Sequence, residues 1–133
     1  MIINKEIFHH LIEQAEREAP VEACGYLAGM DGRVVCHYPM TNAERREDHF
    51  SFLPEEQFAV VKRAREEGLR LIGVYHSHPS TPARPSDEDI RLACDPSIVY
   101  VIISLKEGES AVKAFWIRGG KVEEEPLRIE EDD

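Results

Sequence analysis

The stretch "GVYHSHPSTPARPSDED", residues 73–89, passes from an apolar segment through two histidines into a run of prolines and acids. The apolar segment, "LRLIGVYHSH" (residues 69–78), has the branched and aromatic content of a strand, and Pro79 stops it. Side chains alternate faces along a strand, so His76 and His78 point the same way and Ser77 points opposite. The two imidazoles can converge on one ion, although the pair alone reads equally well as polar residues at a strand end. Pro79, Pro82 and Pro85 then fix a stiff loop with few backbone donors. Ser86 reads as the N-cap of a short helix through Ala93.

Working outward, Asn4 to Glu18 carries Ile7, Phe8, Leu11, Ile12 and Ala15 at helical spacing, and Pro20 ends that run. "CGYLAGM" and "RVVCHYPM" predict two strands of a hairpin around Asp31-Gly32. "TNAERREDHF" is polar and irregular. Pro54 opens a second helix bearing Phe58, Val61 and Ala64, and Gly68 closes it. "SIVYVIISL", "SAVKAFWI" and "KVEEEPLRI" supply the last strands. This order predicts one α/β (or α+β) domain over residues 1–133, a mixed sheet flanked by helices, with the strand order left open.

Composition excludes several classes. Sixteen basic against 26 acidic side chains give a net charge of −10, which disfavours nucleic acid. Part of the excess lies in an acidic tail, about residues 123–133, expected to be a solvated end. No apolar run approaches the roughly 20 residues of a membrane span, so no membrane partner is expected, nor is a signal peptide visible. Cys24, Cys36 and Cys94 lack Cys-x-x-Cys spacing, so reduced thiols and a cytoplasmic location are expected. His9, His10, His37 and His49 read as surface or loop residues. Tyr100, Phe115 and Trp116 read as core, and Cys24 and Cys36 as buried thiols of the hairpin.

The acids bear on the histidine pair. Ser86-Asp87-Glu88-Asp89 fits an N-cap followed by acids in the first helical turn. That reading gives Asp89 no task that Glu would not do better, whereas a metal ligand one turn inside the helix would suit it. Two imidazoles, one carboxylate and a water would form a tetrahedral zinc site with an exchangeable position. A general base for that water is then needed. Glu22, just ahead of "CGYLAGM", is the candidate, although composition alone makes it a surface acid.

These residues are recognisable together. Pro20-Val21-Glu22-Ala23-Cys24-Gly25-Tyr26-Leu27-Ala28-Gly29, then His76-Ser77-His78-Pro79, then Pro85-Ser86 and Asp89, resemble the JAMM (MPN-plus) metalloprotease family. Its pattern is a distant Glu, then His-x-His, seven residues and Ser-x-x-Asp; residues 79–85 are the seven. Asn42 followed by "FSFLPEE" is similar to the compact bacterial and archaeal members. The resemblance implies an MPN/JAMM-type, cytidine-deaminase-like architecture and one zinc ion per chain, held by His76, His78 and Asp89. It implies Glu22 as general acid/base and Ser86 as an oxyanion donor, a role that competes with its N-cap reading. The implied activity is a deubiquitinase-like isopeptidase. It would cleave the amide or isopeptide after the Gly-Gly C-terminus of a ubiquitin-like or sulfur-carrier protein. "NAERREDHF" would border the groove for that tail, or be an ordinary connection. The rivals are a non-catalytic MPN-type module that binds a ubiquitin-like protein, and a zinc hydrolase of a small cytosolic amide or peptide.

Overall fold

A computed structural model describes residues 1–106 and 111–131. The elements run β1 (Ile2–Asn4), α1 (Lys5–Glu18), β2 (Cys24–Met30), β3 (Arg33–Met40), α2 (Pro54–Glu66) and β4 (Arg70–His78). They continue with α3 (Asp87–Leu92), β5 (Val99–Ser104), β6 (Ala111–Arg118), β7 (Lys121–Glu125) and β8 (Arg128–Glu130). Among the described residues the strands form one mixed sheet in the order β7-β6-β5-β4-β2-β3-β1-β8. Strand β4 lies in its middle, antiparallel to β2 and parallel to β5.

Alternation along the strands sends one set of side chains to each helix. Leu27, Tyr75, Val101 and Ile103 pack with Ile7, Leu11 and Ala15 of α1. Their neighbours Tyr26, Ala28 and Val74 pack with Ala64 of α2 on the opposite face. Asn4 caps α1, its side chain accepting from Ile7 N–H at 2.7 Å. The β2–β3 turn has positive φ at both Asp31 and Gly32, the geometry that a two-residue hairpin loop favours. Gly25 has a packing reason to be glycine: a Cβ there would overlap the Tyr75 ring and the Tyr38 carbonyl. The Tyr75 hydroxyl in turn donates to Gln14 Oε1 at 2.6 Å, and Gln14 Nε2 donates to the Cys24 carbonyl.

Three expectations change. In α2, Phe58 is 74% exposed and Val61 is half out, while Ala64 is buried. The inward face runs through Val60 and Ala64, and Gln57, itself exposed, donates to the Tyr26 hydroxyl; a short helix with few apolar residues gave the wrong phase. "KVEEEPLRI" is two strands, not one: Pro126 and Leu127 separate β7 from β8, and these stand at opposite ends of the sheet order. The acids expected to be a solvated end are, through Glu130, part of the sheet. Glu125 accepts from the Met1 ammonium at 2.6 Å and from the Trp116 indole at 2.9 Å, and Glu130 pairs with Arg33 and Arg128. Residues 132 and 133 of that stretch lie outside the described residues. Of the aromatic residues read as core, Phe115 is buried and Tyr100 and Trp116 are half-buried. Cys24 is buried and Cys36 half-buried. Among the described residues no helix is long and apolar enough to cross a membrane.

Candidate metal centre

Strand β4 delivers His76 and His78 to its C-terminal end, where both are nearly inaccessible to solvent, at 2% and 3%. Burial of two polar rings requires partners. For His78 one partner is the proline loop: its Nδ1 donates to the Pro82 carbonyl at 2.8 Å. That bond keeps the proton on Nδ1 and turns the Nε2 lone pair inward. The loop is itself held, since Ser104 Oγ on β5 donates to the Thr81 carbonyl at 2.6 Å. His76 has no such bond, because its Nδ1 is buried without a partner. Its ring instead stacks on Phe50, with centroids 4.8 Å apart.

Helix α3 brings the carboxylate. Ser86 caps it as expected, its hydroxyl accepting from Asp89 N–H at 3.0 Å, and Asp89 Oδ2 accepts from Ser86 N–H at 2.9 Å. Asp89 therefore completes a capping box, a task that the sequence reading did not give it. The same Oδ2 lies 3.1 Å from His76 Nε2 and 3.1 Å from His78 Nε2, and the two nitrogens are 3.1 Å apart.

These three atoms could hold a metal ion. Ligands at about 2.0–2.1 Å in a tetrahedral zinc site stand roughly 3.3 Å apart, close to the observed triangle. Two imidazole nitrogens and one carboxylate oxygen are also a donor set suited to zinc that leaves a fourth position. The residues fit the ion. Without a cation, two nitrogen lone pairs and an anionic oxygen would face one another unless a ring took up a proton.

The electrostatics reflect that crowding. Burial alone would raise the Asp89 carboxyl, but in the ion-free site a proton taken up on His76 or His78 Nε2 donates to it and holds it well below the carboxylate range. Burial lowers His76, and it prevails over Asp89 because the ring is wholly enclosed. Burial also opposes charge on His78, yet the hydrogen bonds to Asp89 and Pro82 raise it.

Glu22 sits in the segment before β2 and is only 4% exposed, against the expectation from composition. Burial pushes its carboxyl up to about 8; the charge of His78 opposes the shift, and those of Asp89, Asp48 and Glu88 add to it. Its Oε1 is buried without a partner. Its main chain is tied on both sides. Glu22 N–H donates to the Arg46 carbonyl at 2.9 Å, and next to it Ala23 N–H donates to Ser77 Oγ at 2.7 Å. Ser77, which points away from the histidines, thus anchors the segment bearing Glu22. The Ser86 oxygen accepts in the cap, which leaves its O–H to donate elsewhere.

Sequence reasoning missed the supports. Ser104 meets the site only through a tertiary contact and nothing in the sequence marks it; Asn42 and Phe50 were quoted only for the resemblance, and Pro82 only as part of the stiff loop, none of them with a task at the site. His49, read as a surface or loop residue, lies 2.7 Å from Glu88 and ties the 42–52 segment to α3. Phe50 and Phe52, two apart ahead of Pro54, were the one visible signal, an alternation that buries one face.

The family described as prokaryotic homologs of the JAB domain matches residues 4–118. The CysO-cysteine peptidase of Mycobacterium tuberculosis is 34% identical over 134 residues, covering 98% of this chain and 92% of the relative. The desampylase of Haloferax volcanii is 36% identical over 101 residues, covering 74% of this chain and 73% of the relative. A solution structure from Desulfitobacterium hafniense superposes with a TM-score of 0.90 at 42% identity, covering 99% of this chain and 94% of that one. With the fold, the motifs and these relatives in agreement, the chain belongs to the prokaryotic homologs of the JAB domain, the JAMM/MPN group that its histidine and acid motifs resemble.

Proposed function

We propose that the chain is a zinc-dependent metallopeptidase. It hydrolyses the amide or isopeptide bond that follows the Gly-Gly C-terminus of a ubiquitin-like or sulfur-carrier protein. The observation that carries this reading is the triangle of His76 Nε2, His78 Nε2 and Asp89 Oδ2, with the buried carboxyl of Glu22 in the same electrostatic environment. The named relatives, a CysO-cysteine peptidase and a desampylase, support the substrate class. Three free cysteines, with Cys24 buried, support a reducing cytoplasmic setting.

In this reading His76, His78 and Asp89 hold one zinc ion. Zinc in such a site acts as a Lewis acid and makes its water a nucleophile near neutral pH. Glu22, buried beside the ligands, takes the proton of the attacking water and returns it to the leaving amine; the charge of a bound zinc would offset the burial that raises its carboxyl, favouring the ionised form a base needs. The free O–H of Ser86 donates to the substrate oxygen as it gains charge. The 42–52 segment borders the approach of the tail; it meets the site through Asn42, which donates to the Glu22 carbonyl, and through Phe50, which stacks on His76. A glycine-ending tail has no side chains at its last residues to obstruct a narrow route to the zinc.

The test is incubation with the host's small Gly-Gly-ending proteins, presented as lysine conjugates and as C-terminal amino-acid adducts, with products read by mass spectrometry. Release of the free Gly-Gly terminus that chelator abolishes and zinc restores is expected. Release that is indifferent to chelator, or no release by the zinc-loaded chain, overturns the proposal.

A further inference from the structure

Glu22 is not on a regular element, so something must fix where its carboxyl points. Asn42 is buried and uses all of its hydrogen-bonding capacity. Its Nδ2 donates to the Glu22 carbonyl at 3.1 Å and to the His49 carbonyl at 2.9 Å. Its Oδ1 accepts from Glu44 N–H at 3.0 Å and from Ser51 N–H at 3.4 Å. The two accepted bonds close the base of the 42–52 segment, beside the Ala43–Ser51 bond and the Asn42–Phe52 bridge. The two donated bonds do something else. One reaches the main chain of Glu22; the other reaches the residue before Phe50, whose ring stacks on His76. The segment also returns to Glu22 at its tip, where Arg46 accepts from Glu22 N–H.

We infer that Asn42 is a positioning residue that sets the carboxyl of Glu22 relative to His76, by holding the Glu22 main chain and the Phe50-bearing segment with a single amide. This rests on the reading of Glu22 as general base. Each half of the amide has its own task, and the halves can be separated. Aspartate at position 42 keeps the acceptor that closes the segment and loses both donors that reach Glu22 and His49. Alanine loses both halves and adds no charge.

The test uses Asn42→Asp and Asn42→Ala alone and combined with Glu22→Gln, on the full chain. Amide hydrogen exchange in the zinc-free protein reads the clamp without any turnover. The Glu22 amide should lose protection in both variants while the Leu27 amide in β2 keeps it. On whichever conjugate the wild-type chain cleaves, kcat should fall roughly 10- to 100-fold with KM unchanged, as for a misplaced catalytic group. In the Glu22→Gln background the same changes should add no further loss, because Asn42 acts through the carboxyl. A purely structural role would instead cost the same factor in both backgrounds. Retained protection at Glu22, an unchanged kcat, or a loss that persists beside Glu22→Gln each overturns the inference. If Glu22→Gln alone leaves turnover intact, the general-base reading fails, and the exchange experiment still decides whether Asn42 clamps the segment. Should the alanine variant fail to fold, the aspartate variant, with its segment closed, carries the test.

Discussion

Asp89 and Ser86 bond reciprocally, and the Asp89 oxygen that accepts from Ser86 N–H is the one that faces both imidazoles. A helix cap and a candidate metal ligand are therefore one atom. Asp89→Glu preserves the residue type that a capping box prefers but displaces the carboxylate by a methylene. Zinc affinity, measured by chelator competition, should fall at least as far as the roughly 10- to 100-fold typical of a lost supporting contact. The zinc-free Tm should barely move. Asp89→Ala should lose zinc and, in addition, about 1 kcal/mol of zinc-free stability from the broken cap.

Glu22→Gln removes the proposed proton carrier and leaves the histidine–aspartate triangle alone. One zinc per chain should remain by elemental analysis, while kcat falls by roughly 10²–10⁴. Loss of metal together with activity would mean that Glu22 belongs among the ligands.

The pH dependence of stability follows from the same carboxyl. Its value is raised from an ordinary 4.5 to about 8, so the folded chain keeps this proton where the unfolded chain has released it. The favourable contribution is complete below the unfolded value and is lost as pH rises through the folded one. In zinc-free protein, wild type should lose stability relative to Glu22→Gln across that window, read by urea denaturation at several pH values. Asp89, whose shift runs the other way and whose contribution falls away in acid, is common to both proteins and cancels to first order. A gap that stays constant with pH would show that the Glu22 carboxyl titrates normally.

Ser104 supports His78 at one remove, through the Thr81 carbonyl beside Pro82. Ser104→Ala should weaken zinc binding by up to roughly 10- to 100-fold while leaving one zinc per chain at saturation. Chelator competition measures it, and an unchanged dissociation constant would mean that the prolines alone hold the loop.

The phase of α2 can be checked by stability. Phe58→Ser should change unfolding free energy by no more than about 0.5 kcal/mol, as expected for a surface position. Ala64→Leu should cost about 1–3 kcal/mol by overpacking between α2 and the sheet.

The sequence was most legible where local rules are strong. The hairpin turn, the Ser86 cap, the proline stop after β4 and the shared face of His76 and His78 all follow from short-range stereochemistry. Glu22 and its burial were not readable locally; the resemblance supplied its role, and tertiary folding encloses it. Helix α2 was misphased because Phe58, the largest apolar residue on it, points to solvent while Val60 and Ala64 face inward. Asn42, Phe50 and Ser104 act across the sheet or between segments, where spacing carries no signal. Strand β1 is three residues long and gains its meaning from pairing with β3 on one side and β8 on the other.

The link between β7 and β8 has a consequence for the whole sheet. Two residues join strands that stand at opposite ends of the order, and such a tether spans no more than about 10 Å. A flat eight-strand ribbon would put its margins several times farther apart. The ribbon must therefore curl until the end of β7 and the start of β8 meet at one corner. With its outermost strands joined at that corner, neither can leave the sheet without drawing on the other.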